Sequence, residues 1–161
     1  VNFCPTWSTF GPVRGGHRNH WGVDIASPTG TSIRAATDGI VTYAREANGY
    51  GLFARLRFSA PLRNKQGACG SHEDIEIIYA HLIDDGKTST ATRSVRAGEV
   101  IGRVGCTGNA RGMCSPSPES HLHVTVQKSG NHAKIDPGPF LGWNIHLPSE
   151  RPADWGTCGK K

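Results

Sequence analysis

The stretch HLHVTVQ, residues 121–127, alternates without a break: His121, His123 and Thr125 fall on one side, Leu122, Val124 and Val126 on the other. In an extended strand successive side chains point to opposite faces, so residues two apart share one. The apolar three therefore face a core, and the two imidazoles project together from the opposite face. Histidines so placed are a start for a metal site, although HxH alone also fits a polar solvent face that happens to hold two of them.

The same period recurs upstream. YGLFARLRF, residues 50–58, sets Leu52, Ala54, Leu56 and Phe58 against Phe53, Arg55 and Arg57, a half-buried strand with one largely basic face. DIEIIYAHL, residues 74–82, is a second strong strand with Ile75, Ile77 and Tyr79 on one face. The segment between them, residues 59–74, is rich in Gly, Pro and Asn and reads as a long surface insertion. Residues 31–46 read as two short strands joined in a hairpin at Asp38-Gly39. Residues 94–109 carry a turn at Ala97-Gly98 and then the apolar Val100, Ile101 and Val104; residues 1–19 form an irregular leading segment, the fold proper starting at His20, and the tail is loop-rich.

Composition bounds the answer. A chain of 161 residues supports one domain, and 21 glycines with 10 prolines at 36% hydrophobic content favour short strands and turns over long helices. No apolar run is long enough to span a bilayer, so no transmembrane segment is expected. VNFCPTWSTF at the start lacks the pattern of a signal peptide, which leaves open that the chain is a processed piece of a longer precursor. The net charge of +5 favours anionic partners: nucleic acid, acidic lipid or an anionic cell wall. No interleaving of basic and aromatic residues resembles a nucleic-acid reader, and nucleic acid is not expected as a partner.

Five cysteines are many for a cytosolic protein of this size and point to an oxidising compartment, with reduced, buried thiols as the alternative. No CxxC pair marks a structural zinc knuckle. Cys106 and Cys114 flank a Gly-rich segment and could close a short loop, while Cys4 and Cys158 could tie the termini together; the odd count leaves one thiol over.

The chemistry-bearing residues gather around the HxH pair. His20 and Asp24, in HWGVD, offer an imidazole and a carboxylate, both ordinary zinc ligands, with Gly22 between them to let the backbone turn. His81, in YAHL, ends an apolar strand that can hold it rigidly. Taken together they supply three ligands with a fourth position open, plus two histidines for proton transfer, the complement of a catalytic zinc. No HExxH helix is present to provide a glutamate base.

HWGVD, YAHL, VRAGEVIGRVGCTGN and HLHVTV, in this order and at these separations, resemble the lysostaphin-type zinc metallopeptidases, the LytM-domain family, over residues 20–127. The resemblance implies a mostly β fold of the duplicated-hybrid-motif type: antiparallel sheets forming a groove with a zinc site on its floor, long loops and little helix. It implies one zinc ion per chain held by His20, Asp24 and His123, with His81 and His121 as the catalytic pair. In that family a zinc-activated water attacks the scissile carbonyl while the two histidines assist proton transfer and stabilise the oxyanion. The expected substrate is a peptide of peptidoglycan, stem or cross-bridge, cut outside the cytoplasm, secreted or periplasmic, by a monomeric catalytic domain spanning residues 1–161. The role is cell-wall remodelling or antibacterial attack, the latter implying an immunity or delivery partner. The alternative is a non-catalytic LytM-like regulator that activates another wall hydrolase, although such members tend to lack the ligands kept here.

The chain departs from the family pattern before HxH, where a short Gly-Pro-His link is usual and residues 106–120 are longer. This insertion and residues 59–74 are expected to wall the groove, stapled by Cys106 and Cys114, unless Cys69 bridges the two instead. His17 lies outside the HxGxD pattern; His72, His132 and His146 read as solvated loop residues and Asp38 as a turn residue. Tyr50 suits either an oxyanion donor or an edge-packing turn residue, and Trp143 and Trp155 suit either substrate stacking or core packing.

Overall fold

The computed structural model describes residues 11–13, 18–63, 68–117, 119–137 and 140. In chain order the strands are β1 (Gly11–Val13), β2 (Arg18–His20), β3 (Val23–Ala26), β4 (Ser32–Arg34), β5 (Gly39–Glu46), β6 (Gly51–Arg63), β7 (Cys69–Ala80), β8 (Arg93–Val95), β9 (Val100–Arg103), β10 (His121–Lys128) and β11 (Lys134–Ile135), with a 3₁₀ turn at Gly108–Ala110. The main sheet runs β11-β10-β7-β6-β5-β8 with β3 added on β10, and β1-β2 and β4-β9 form two small sheets. Among the described residues every strand pairing is antiparallel. The fold is the mostly β architecture that the sequence leads one to expect.

Period-2 alternation explains the layering. Leu52, Ala54 and Leu56 on β6, Ile75, Ile77 and Tyr79 on β7, and Val124 and Val126 on β10 are all buried in one cluster. Ile33 of β4 and Ile101 of β9 join that cluster, so the small sheet closes the inner face of the large one. Burying one such side chain stabilises by about 1.5–3 kcal/mol, and the cluster is the main source of cohesion. The other face holds a smaller cluster, Phe53, Ile78 and Ala80 with Tyr50 against it, beside the histidines.

Three local expectations are corrected. The strands within residues 31–46 exist but form no hairpin at Asp38-Gly39, because β4 pairs with β9 while β5 pairs with β6 and β8. Asp38 instead accepts the Ala97 N–H at 2.8 Å, tying the start of β5 to the turn after β8. Residues 59–63 and 69–74 are strand rather than loop: β6 and β7 continue outward as a ribbon, with Ser59 opposite Asp74 and Pro61 opposite His72. Of the ribbon's described residues only Leu62 is buried with the core, so little apolar alternation is left to mark it and its polar sequence concealed it. Lastly, β1 and β2 precede the expected start of the fold at His20.

Cys106 and Cys114 form a disulfide across eight positions. Cys69 is disulfide-bonded too, and with Cys106 and Cys114 paired to each other it does not link the two expected insertions. The Cys4–Cys158 tie lies outside the described residues. Beyond the staple, the 106–120 segment is held to the β3–β4 connection by Thr29 N–H to Ser115 Oγ at 3.0 Å and Ser115 N–H to Thr29 Oγ1 at 2.9 Å. Replacing Cys106 and Cys114 by serine is expected to lower unfolding free energy by about 2–3 kcal/mol, the loop-closure value for so short a ring. Urea denaturation under non-reducing conditions measures this, and an unchanged midpoint would show that the Thr29–Ser115 clasp alone holds the loop.

Candidate metal centre

Register brings the histidines of β10 to a carboxylate. β3 lies antiparallel on β10 with His123 directly opposite Asp24, and directly opposed side chains share a face at about 5 Å. His123 Nδ1 stands 2.8 Å from Asp24 Oδ1. His20, at the end of β2, brings its Nε2 to 3.4 Å from Asp24 Oδ2 and 3.3 Å from His123 Nδ1. One ligand atom from each of the three lies within 4.8 Å of the others, with Asp24 and His123 buried.

This donor set suits a cation. Three lone-pair-bearing atoms converge, and no more than a proton or two can sit among them, so bare they repel one another. Two imidazoles and a carboxylate with a position left open match zinc in its catalytic mode. The far side of the His123 ring is also held: Nε2 is 2.9 Å from Thr125 Oγ1, the kind of outer partner that fixes a ligand's tautomer and orientation. Burial by itself would push the Asp24 carboxyl up, but hydrogen bonds and charge from His123 and His20 outweigh it and hold the group well below the usual carboxylate range.

Gly22 has a different reason from the one its place in HWGVD implied. A Cβ there would collide with the Val124 carbonyl oxygen and lie 2.7 Å from Cε1 and Nε2 of His123. Glycine is needed for close approach of β3's entrance to β10, and no unusual turn is involved.

His81 follows the last residue of β7 in a left-handed conformation, φ 61°, which costs a non-glycine residue about 1–3 kcal/mol. Its N–H donates to Tyr50 O at 2.8 Å, its carbonyl accepts from Gly105 N at 2.9 Å, and its ring Nδ1 meets Thr107 O at 2.8 Å. A carbonyl only accepts, so Nδ1 carries the proton and Nε2 is left with its lone pair. The same logic applies to His121, whose Nδ1 donates to Glu119 O at 2.8 Å and whose Nε2 faces Asp24 Oδ1 at 3.7 Å. The His81 ring centroid lies 5.4 Å from that of His121 and 5.9 Å from that of His123. Burial first, then the charge of His123, push the His81 imidazole down to about 4, so it is neutral at neutral pH.

All five residues singled out in the sequence thus meet in one place. A sequence profile of peptidase family M23 matches residues 18–137. The chain belongs to peptidase family M23.

Two curated relatives of this M23 chain, both named DD-carboxypeptidase/endopeptidase Mpg, come from Neisseria meningitidis serogroup B and Neisseria gonorrhoeae. Each is 34% identical over 119 residues, 74% of this chain. The matched part spans 22% of those relatives' length. Among solved structures, the catalytic domain of the antimicrobial peptidase lysostaphin from Staphylococcus simulans superposes with a TM-score of 0.59 at 25% identity, covering 87% of this chain and 92% of that one. A point mutant of the catalytic domain of the prophage-encoded M23 protein EnpA from Enterococcus faecalis gives 0.59 at 25% identity, covering 81% and 85%.

Sequence reasoning missed Thr107, which lies in the VRAGEVIGRVGCTGN block of this M23 chain and received no role from it. Its carbonyl orients His81, while its Oγ1 donates to Leu82 O at 2.7 Å and accepts the Leu52 N–H at 3.0 Å. Gly51 and Gly108, both at positive φ, let the two loops cross tightly there. Thr107→Ala strands two backbone groups, and a loss of about 1–3 kcal/mol in stability is expected. Activity should fall with metal content unchanged and recover in Thr107→Ser; equal activity in Thr107→Ala would show that the carbonyl holds its place without the hydroxyl.

Tyr50 does pack edge-on against Phe53, at 5.5 Å, and also stands 5.7 Å from the His123 ring with its hydroxyl 3.4 Å from Thr125 Oγ1. His72, on β7 rather than in a loop, and His132 are exposed and do not join the site. His17, His146, Trp143 and Trp155 lie outside the described residues.

Proposed function

We propose that this chain is a zinc-dependent endopeptidase that hydrolyses peptide bonds in the stems or cross-bridges of peptidoglycan, acting outside the cytoplasm as a single catalytic domain. The observation that carries the reading is the convergence, within an M23 chain, of His20, Asp24 and His123 beside two further histidines whose Nδ1 protons are committed to carbonyls. The names of the relatives, a DD-carboxypeptidase/endopeptidase and an antimicrobial peptidase, support the substrate class.

His20, Asp24 and His123 are the residues that would hold zinc. When bound, zinc supplies Lewis acidity, polarising a carbonyl and lowering the pKa of a water to about 7. His81, neutral and fixed by Thr107 O, presents Nε2 to take a proton from the nucleophile and return it to the leaving amine. His121, its Nδ1–H held by Glu119 O, would stabilise charge developing on the carbonyl oxygen in its doubly protonated form, through Nε2–H. Both rings are oriented before substrate arrives, so little reorganisation is needed at the moment of reaction.

Digestion of purified muropeptides with mass identification of the products tests the reading. The zinc-loaded protein should release peptide fragments, and His81→Ala should keep its zinc yet cut about 10²–10⁴-fold more slowly, the worth of general acid–base assistance. Equal cutting by His81→Ala would overturn the assignment of its role, and absence of any fragment would overturn the substrate class.

A further inference from the structure

The face that carries the histidines continues along the sheet into a charged cluster. Register places Thr125 opposite Ile78 and Ile78 opposite Arg55, and Lys134, Gln127, Glu76 and Arg57 across from one another in the adjoining row. Alternation then puts Arg55, Arg57, Glu76, Gln127 and Lys134 on the same side as His123 and Thr125. Arg55 sits two residues along and two strands over from His123, about 12 Å by strand geometry.

Glu76 is the buried centre of this cluster, its side chain 1% exposed. Arg57 Nη2 donates to it at 3.3 Å, Gln127 Nε2 donates at 2.5 Å, and Arg55 Nε lies at 3.6 Å, beyond hydrogen-bond reach. Lys134 Nζ donates to Gln127 Oε1. Three cations, Arg55, Arg57 and Lys134, gather around the Glu76 carboxylate. Two further acids lie on this face: Asp74, two positions before Glu76 and ion-paired with none of the three, and Asp136, buried two positions after Lys134.

A cluster that served only to neutralise Glu76 would not need three cations. Arg55 Nε is the one buried side-chain nitrogen or oxygen among the described residues without a hydrogen-bond partner, and buried donors are nearly always paired. The Arg55 guanidinium is nonetheless held in position, 5.5 Å over the Phe53 ring. Its side chain is 34% exposed and that of Arg57 57%, so an incoming group can reach both. A fixed, partly exposed guanidinium beside a second one suits a carboxylate received through paired N–H donors.

We propose that Arg55, Arg57 and Lys134 form a subsite for a free carboxylate of the peptide substrate, three to four residues along the chain from the bond that is cut. The proposal rests on the endopeptidase reading and refines it from a peptide to an anionic peptide. The spacing follows from the 12 Å separation, because an extended peptide advances about 3.3 Å per residue.

The test compares one stem tetrapeptide in two forms, with carboxylates free and with all of them amidated, in binding titrations to the metal-free protein and in cleavage of the matching cross-linked substrates. The wild type should bind the free form about tenfold more tightly and cleave it with a correspondingly lower KM, and both preferences should shrink as salt is raised. In Arg55→Gln/Arg57→Gln the ratio should fall to about one. Because the loss of both arginines exposes Glu76 to misfolding, Lys134→Gln and Arg57→Gln alone serve as milder variants, each reducing the ratio about threefold. An unchanged ratio in folded variants, or a wild type that binds both forms equally, overturns the subsite. Discrimination in binding without any cleavage sustains the subsite and sinks the endopeptidase reading instead.

Discussion

His123→Ala is expected to leave the protein folded, free of zinc and at least about 10³-fold less active. His123 is the hub of the site: its Nδ1 meets both Asp24 and His20, and its Nε2 is held by Thr125. Removing the ring deletes one of the three proposed ligands and also the leading hydrogen-bonding partner of the Asp24 carboxyl. That carboxyl is buried and kept ionised against desolvation by His123 and His20, so with His123 gone its charged form loses part of that support. The remaining pair would then lose affinity through ligand count and through a carboxylate left with fewer partners to stabilise its charge. A thousandfold fall corresponds to about 4 kcal/mol of lost transition-state stabilisation at about 1.36 kcal/mol per decade. Thr125→Ala supplies a graded comparison, since loss of such an outer partner costs roughly 10–100-fold in metal affinity. Metal analysis of the purified variants, with far-ultraviolet circular dichroism to establish folding, decides the matter. Full zinc content in His123→Ala would refute the ligand assignment.

Gly22→Ala, although it removes no functional group, is expected to cost about 10²-fold in activity and about 1–3 kcal/mol in stability. The added methyl meets the backbone carbonyl of Val124, which cannot swing aside as a side chain would, and sits 2.7 Å from the His123 ring. Relief requires β3 to move off β10, the strand pair whose register sets Asp24 against His123. Overpacking of this kind typically costs about 1–3 kcal/mol, and a displacement of about 1 Å at a reacting group costs about 10²-fold in rate. Gly130→Ala is the control: nothing lies within 4 Å of where its methyl would stand and no positive φ is involved, so stability and activity should stay near those of the wild type. Thermal melts and zinc titration of the two variants side by side provide the measurement. Gly22→Ala indistinguishable from Gly130→Ala would mean that β3 has slack the structure does not show.

Much of the architecture could be read from periodicity, and the exceptions share one cause. Alternation marked β6, β7 and β10 and assigned their inner faces, because each covers a core and must bury every second residue. Where strands bury little, as in the ribbon of residues 59–63 and 69–74 with only Leu62 in the core, polarity resembles that of a loop and the period vanishes. The Asp38-Gly39 hairpin failed for another reason: local turn chemistry suits a hairpin, but β4 and β5 find better partners in β9 and β6, far away in sequence. Local preference was overridden by burial of Ile33 and Val41 in a common core.

The site divides along the same line. That His121 and His123 share a face follows from a period of two, a property of any L-amino-acid strand, and residue chemistry marked His20, Asp24 and His81 as candidates. No local rule could say that Asp24 stands opposite His123 from 99 positions away, that Gly22 is there to clear the His123 ring, or that the Thr107 carbonyl holds His81. Nor could it say that Arg55 and Arg57, which read as a merely basic face, meet Glu76 and Lys134 on the side that carries the histidines. Periodicity is encoded within a few residues, whereas register is chosen by the sum of contacts along two whole strands. Distances between residues a hundred positions apart therefore exist only once the sheet has closed.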